Sequence, residues 1–261
     1  MGYISSLLLL VYMKESNTPT VSVLMCVYNG GIPLSSALES ILEQTFLDFE
    51  FVIVDDGSTD ETVSILEDLQ LANMRVLVAE QNGGKGSAVR RGMLAAEGEF
   101  ILFADADNST PIEQLGKMLQ QMESGYDVLI GSRAADGSQA QNRDIIRRSM
   151  SWGLHSLVHM ILHVDVSDTQ CGFKLFRREA AVQLCQYQTL MGFSFDLELL
   201  YLTEKLGFSL GETPVNWYDA PGSKVNVIRD TRRFLVDLVR IRVNDSMGYY
   251  TRKGVLACES Q

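Results

Sequence analysis

The sequence predicts an α/β domain, a mostly parallel sheet with helices on both faces. Three observations carry that prediction. Apolar runs of strand length alternate with segments of helical period through the first half, the order that builds a parallel sheet. Those runs are continuously apolar rather than alternating, as in strands covered on both faces. Three of the first four end in polar, acidic or glycine-rich sequence, at the edge where open α/β sheets bind ligands. The 261 residues suffice for one large domain or at most two small ones. A net charge of −11 argues against a nucleic-acid partner.

Val21 to Val27 reads as the first strand and ends in the turn residues Tyr28, Asn29, Gly30 and Gly31. Pro33 opens a helix with Leu34, Leu38, Ile41 and Leu42 at helical spacing. Phe49 to Val54 is the second strand and runs into Asp55, Asp56, Gly57 and Ser58. Thr59 is expected to cap a helix through Leu69, with Glu61 in its first turn. Met74 to Ala79 is the third strand. The glycine-rich Gln81 to Ser87 (QNGGKGS) then enters a helix from about Ala88 to Ala96. Its backbone N–H groups suit a phosphate, and a plain turn with a surface lysine reads equally well. It is not a Walker A loop, because Lys85 is followed by Gly86 and the upstream glycine is missing.

The fourth strand, Phe100 to Ala104, is followed by Asp105 and Asp107 with only Ala106 between them. Two acids without an adjacent base suit a hard cation, Mg²⁺ or Mn²⁺, which prefers oxygen ligands and bridges to substrate phosphates. A bare D-x-D also reads as an acidic turn or cap, and its place at a strand end is what favours the metal. Pro111 starts a helix through about Met122, and Asp127 to Gly131 makes a fifth strand.

The second half is less regular. Arg133 to Asp144 is a polar loop, and Ile145 to Val164 a strongly apolar helix. His155, His159 and His163 lie on one face of it, but Ser156 stands where a zinc-binding pair carries Glu, so a helix face touching lipid or a neighbouring element is the preferred reading, and the segment is expected to contact a membrane. Asp168 to Phe176 (DTQCGFKLF) leads into a short strand and Arg178 to Cys185 into a helix. Phe195 to Leu206 is a helix with Asp196 and Glu198 in its first turn, and Ser209 to Trp217 a late strand. Tyr218 to Lys224 is a loop before a last helix from about Asp230 to Val243. From Pro221 to Arg252 seven Lys and Arg face three Asp. The arginines interleave with apolar residues, which fits either a membrane-surface helix or one packed on the sheet.

Cys26, Cys171, Cys185 and Cys258 are widely spaced, form no metal pattern and read as reduced thiols of a cytosolic protein. Ser6 to Met13 (SLLLLVYM) is apolar but far short of the ~20 residues of a membrane span, and it lacks the marks of a signal peptide.

Together VSVLMCVYN, FVIVDDGSTD, NGGKGSAVRRG and FADAD resemble the family-two glycosyltransferases. The resemblance runs from Val21 through the last helix. It implies the GT-A fold, a Rossmann-like, mostly parallel sheet with an acceptor-side C-terminal half. DTQCGFKLF, FDLELLY and VNWYDAPGSK are similar to the branch that glycosylates polyprenyl phosphates, nearest to the dolichyl-phosphate β-glucosyltransferases. That implies a single domain over 21–245, its nucleotide-binding half 21–132 and its acceptor half 133–245, between tails 1–20 and 246–261.

The same resemblance implies residue roles. Asp55 and Asp56 would meet the base and ribose of a nucleotide sugar, with Val27, Tyr28 and Asn29 lining that pocket. Lys85 would face the nucleotide, and Asp105 and Asp107 would hold Mg²⁺ or Mn²⁺ on its diphosphate. Asp168, Gln170 and Lys174 would lie near the sugar and acceptor, and Asp196 is the position to examine for a base. The implied reaction is an inverting transfer of glucose from UDP-glucose to a polyprenyl phosphate, at the cytoplasmic face of a membrane. Mannosyl transfer from GDP-mannose, transfer to a sugar hydroxyl in polysaccharide synthesis and a non-enzymatic nucleotide-binding module stand as alternatives.

Overall fold

The structure is a computed structural model and describes residues 18–31, 33–43, 45–69, 71–105, 107, 109–140, 156–218 and 227–251. The apolar stretch Ser6 to Met13, His155, Cys258 and most of the Ile145 to Val164 segment lie outside these residues.

Seven strands form the main sheet: β1 (Val21–Val27), β2 (Phe49–Asp55), β3 (Met74–Val78), β4 (Phe100–Ala104), β5 (Val128–Ser132), β7 (Phe173–Arg177) and β8 (Leu210–Pro214). Their order is β3-β2-β1-β4-β7-β5-β8. Only β7 runs against its neighbours; the other pairings are parallel. β4 is buried at every residue. Its alternate side chains divide between two cores, Ile101 and Phe103 on one face, Phe100, Leu102 and Ala104 on the other. That two-sided burial is why the strand reads as a continuous apolar run.

Helix α1 (Pro33–Leu42), the 3₁₀ turn Ile112–Gln114 and α4 (Leu115–Met122) cover one face. Helices α3 (Lys85–Ala95), α6 (Arg178–Tyr187), α7 (Phe195–Lys205) and α8 (Val227–Ser246) cover the other, with α5 (residues 156–162) beside them. Helix α2 (Thr62–Asp68) follows β2.

Three expectations need correction, and a strand order that the sequence left open is added to them. Thr59 does not cap α2: its N–H is donated to Asn29 Oδ1, and Asp60 Oδ1 accepts the Thr62 N–H at 3.1 Å instead. Helix α3 begins at Lys85, not Ala88, so the lysine stands in its first turn. The run from Ser209 to Trp217 is two strands. Pro214 ends β8, having no N–H for a ladder. β9 (Asn216–Trp217) then pairs with β6 (Gln139–Ala140) in a separate sheet. Finally, β5 does not neighbour β4. Strand β7 inserts between them, so the two halves of the chain share one sheet.

Candidate active site

The antiparallel insertion builds the site. Because Ala104 pairs with Phe173, the turn before β7 lies at the edge where β4 ends. Asp105 donates its N–H to Gly172 O at 2.9 Å, and its carboxylate lies over Gly172. A Cβ there would fall 1.7 Å from Asp105 Oδ2, so any larger residue would have to displace the Asp105 carboxylate. Asp105, Asp107, Thr110, Arg133, Gln170 and Trp217 enclose a cavity of about 100 Å³. Asp107 is exposed, and its Oδ1 accepts the Ser109 N–H at 3.0 Å.

Arg133 enters from the end of β5. Its Nε and Nη2 donate to Asp168 Oδ2 and Oδ1 at 2.6 and 2.8 Å, a bidentate pair. Its Cζ lies 5.5 Å from the Trp217 ring centroid. Burial pushes the Asp168 carboxyl up, but the Arg133 bonds outweigh it and hold it below the usual carboxylate range. Asp168 therefore fixes the guanidinium, and Arg133 with Gln170 meets the cavity. The sequence offers Arg133 only as a further cation for the leaving phosphate, one arginine at a strand end with its acid partner 35 residues away; Trp217 carried no expected role.

The second strand-end pair is built differently. Asp55 is fully buried; its Oδ2 accepts the N–H groups of Gly57 and Ser58, and its Oδ1 has no partner among the described residues. Both oxygens of Asp56 are taken by the glycine-rich loop, from the N–H groups of Gly83 at 3.0 Å and Gly84 at 2.9 Å. Asp56 thus anchors a loop in this state, where a ribose contact was expected. Gly84 has φ +92°, and a Cβ there would lie 2.5 Å from Met191 O. Asn29 closes the turn after β1: its N–H donates to Ser58 Oγ, and its backbone is left-handed at φ +49°, which asparagine tolerates. Val27 is buried beneath it, and Tyr28 is half exposed at the rim.

Lys85 reaches across to Asp105, Nζ to Oδ1 at 2.7 Å. Lys174 and Asp196 do not line the cavity and pair with each other instead. Side chains alternate along β7, so Phe173 faces the cavity while Lys174 points into the opposite core. Lys174 is 1% exposed; its Nζ donates to Cys171 O at 2.6 Å and lies 3.1 Å from Asp196 Oδ2. Phe103 and Phe195 pack edge to face at 5.7 Å, which holds the start of α7 against β4 and seats Asp196 beside that lysine. Burial raises the Asp196 carboxyl, and Lys174 pulls it back in part.

Two carboxylates meet the cavity, and among the described residues no set of three His, Cys, Asp or Glu could enclose a metal ion. Divalent ions such as Mg²⁺ are often held by one or two carboxylates plus substrate phosphates. The donor set therefore fits a cation shared with a phosphorylated substrate rather than a closed structural site.

The glycosyl transferase family 2 model matches residues 22–184. Dolichyl-phosphate beta-glucosyltransferase of Dictyostelium discoideum is 33% identical over 251 residues, covering 89% of this chain and 77% of that protein. The enzyme of the same name from Saccharomyces cerevisiae is 35% identical, covering 83% and 71%. That from Homo sapiens is 32% identical, covering 88% and 76%. Among solved structures, glucosyl-3-phosphoglycerate synthase from Mycobacterium tuberculosis bound to UDP superposes with a TM-score of 0.63 at 18% identity, covering 85% of this chain and 80% of that one. The same enzyme is known with Mn²⁺, UDP-glucose and glycerol 3-phosphate. S. aureus TarS with UDP-GlcNAc gives 0.52 at 23% identity, covering 78% and 60%. The matched segment takes in every strand end that forms the cavity except that of β9, and relatives at this identity run along most of the chain. This chain therefore belongs to glycosyl transferase family 2 and is a glycosyltransferase with the GT-A fold.

Proposed function

We propose that this enzyme moves glucose from UDP-glucose to a polyprenyl phosphate, inverting the anomeric carbon. One observation carries the reading. A single cavity is faced by two acids, Asp105 and Asp107, and by a clamped guanidinium, Arg133. Such a site can take two phosphate groups at once, the donor diphosphate on the acid side through a cation and an acceptor phosphate on Arg133. The names of the relatives supply the glucosyl group and the lipid phosphate.

Asp105 and Asp107 would hold Mg²⁺ or Mn²⁺, which as a Lewis acid stabilises charge growing on the leaving diphosphate. Arg133 presents fixed N–H donors, and planar bidentate recognition of phosphate is what guanidinium does best. A phosphate monoester arrives ionised, since its second pKa lies near 6, so it attacks without a strong base. Asp196 fits that economy: it is buried and paired with Lys174 rather than open to the cavity. Asp196→Asn should lower transfer by about tenfold at most, below the ~10²–10⁴ share of a general base. A thousandfold loss with donor binding intact would make it a base and the acceptor a hydroxyl.

The deciding experiment is radiolabelled sugar transfer from several nucleotide sugars to polyprenyl phosphate. UDP-glucose should be used, and UDP should bind more tightly than GDP in calorimetry with Mn²⁺. Preferential use of GDP-mannose, or transfer only to a sugar hydroxyl, overturns the assignment.

A membrane surface is the further partner we propose. No helix among the described residues is long and apolar enough to cross a membrane. Helix α8 buries Phe234, Leu238 and Ile241 in the core and exposes Val236, Val239 and Val243 along its outer side, with the exposed Met247 just past its end. Arg232, Arg233 and Arg240 are exposed beside that stripe, the pattern of a helix lying in an anionic interface. The expected second contact, the Ile145 to Val164 segment, is described only in part, and there Val158 and Leu162 are buried in the core. Co-sedimentation with anionic liposomes should fall with salt and weaken when the three arginines become Gln. Salt-independent binding, or none, removes this partner.

A further inference from the structure

Lys85 sits where a cation would have to be. Its Nζ is 2.7 Å from Asp105 Oδ1, on one of the two acids that face the cavity. An ammonium and a divalent ion on one carboxylate repel each other strongly at a few Å. A metal that takes Asp105 must therefore displace Lys85, and the lysine needs another anion. Its Nζ is flanked by the rings of Phe103 and Phe193, with centroids at 5.4 and 5.9 Å. After Asp105, the acid acting most strongly on it is Asp196. Among the described residues only Oδ2 of that carboxylate is engaged, by Lys174, and Oδ1 is buried with no hydrogen-bond partner. A buried acceptor left unsatisfied calls for an explanation, and a donor that arrives later supplies one.

We propose that Lys85 is a mobile placeholder: it neutralises Asp105 until a divalent cation binds there, then moves to the open oxygen of Asp196. Lys174 and Asp196 are then positioning residues. Lys174 fixes Oδ2, which leaves Oδ1 for the incoming ammonium. The inference rests on the metal site proposed above, and on neither the donor nor the acceptor assigned there.

The test is binding of Mn²⁺ alone to the full chain, followed by electron paramagnetic resonance of the free ion, so that no turnover is needed. Lys85→Met removes the competitor and should tighten Mn²⁺ binding by about tenfold, the order expected for a nearby like charge in a wet site. Asp196→Asn removes the anionic refuge and should weaken binding by a similar factor. In the double variant the Asp196→Asn penalty should vanish, because no ammonium is left to relocate; that non-additivity is the signature of coupling. An equal Asp196→Asn penalty with and without Lys85 overturns the placeholder, and so does unchanged or weaker Mn²⁺ binding in Lys85→Met. If Asp196→Asn does not fold, the Lys85→Met arm still decides. Absence of Mn²⁺ binding from every variant overturns the metal site itself, and the placeholder with it.

Discussion

Two strand ends of this molecule carry the same signal, a buried run followed by two acids, and the structure uses them in opposite ways. After β2, Asp55 and Asp56 turn inward, and three of their four carboxylate oxygens accept main-chain N–H groups from Gly57, Ser58, Gly83 and Gly84. After β4, Asp105 and Asp107 face a cavity that Arg133 also meets, and the ammonium of Lys85 pairs with Asp105. The difference lies in which donors arrive. Glycine-rich turns bring rigid N–H groups that consume a carboxylate; a long side chain at a helix start covers one and can withdraw. An acid pair is thus a scaffold where backbone meets it and a binding site where it is left to mobile partners.

Isosteric replacement at the open pair should have the largest effect. Asp107→Asn keeps shape and the Ser109 bond, yet loses the charge that would hold a cation. Transfer should fall to below about one hundredth of wild type, since metal stabilisation contributes several kcal/mol and each ~1.4 kcal/mol is tenfold. Thermal unfolding should be unchanged, because the side chain is exposed. Excess EDTA should reproduce the loss in the wild type. Full activity in either case places Asp107 with the scaffold acids.

The scaffold pair should behave in reverse. Asp56→Ala leaves the N–H groups of Gly83 and Gly84 without their acceptor, and each unmet donor costs ~1–3 kcal/mol when sheltered from water. A loss of ~2–4 kcal/mol in unfolding free energy is expected on that basis. Asp105→Ala should cost far less, since both Asp105 and Lys85 keep about a quarter to a third of their side-chain surface in water. Equal destabilisation by the two substitutions erases the distinction.

This contrast also marks how far the sequence could be read. The runs Val21 to Val27 and Phe100 to Ala104 were legible because two-sided burial demands continuous apolar residues, and the acids after them because a polar pair cannot continue such a strand. Which pair meets water was not legible. It depends on Gly83 and Gly84 folding back over Asp56, a contact 27 and 28 residues away. The insertion of β7 was hidden for the same reason. Its pairing of Phe176 with Ile101 is decided by the tertiary fold, while its residues read only as a short strand. Lys174 looked available because charged residues are rarely buried whole; its Asp196 partner lies in another element.

Asp168 is an intermediate case, held by the Arg133 side chain as well as by main-chain N–H groups, and pH can separate it. Burial alone would raise its carboxyl, but the Arg133 bonds lower it overall. A folded-state value below the unfolded one makes the folded form the poorer proton binder. The clamp's contribution is then complete above the ordinary Asp value of about 3.9 and is lost as pH falls through the lowered folded value. In Arg133→Met the side-chain bonds and the charge are lost while the main-chain N–H of residue 133 and Lys174 still lower the carboxyl, so the folded value rises toward the unfolded one and acid should relatively favour the variant. Unfolding midpoints between pH 3 and 7 should therefore converge between wild type and variant toward the acid end. Parallel curves count against the clamp.

Within the scaffold pair the smaller change in stability should come from Asp55→Asn, and it tests whether that pair is wholly scaffold. Asn keeps one carbonyl oxygen to accept the Gly57 and Ser58 N–H groups, as Oδ2 does now at 3.1 and 2.9 Å. It replaces Oδ1, the one oxygen of this pair without a partner, by an amide donor. The turn is preserved and a buried charge is removed, so unfolding free energy should shift by no more than about 1 kcal/mol in either direction. Nucleotide binding separates two explanations of the open oxygen. If Oδ1 awaits a donor from the nucleotide base, Asn sets donor against donor, and UDP affinity should fall about tenfold, the equivalent of one hydrogen bond of ~1.4 kcal/mol. If Asp55 serves only the turn, UDP affinity should stay within about twofold. Calorimetric titration of UDP into the variant distinguishes the two. A fall in affinity with unchanged stability makes Asp55 Oδ1 the acceptor of the scaffold pair that also reads the ligand.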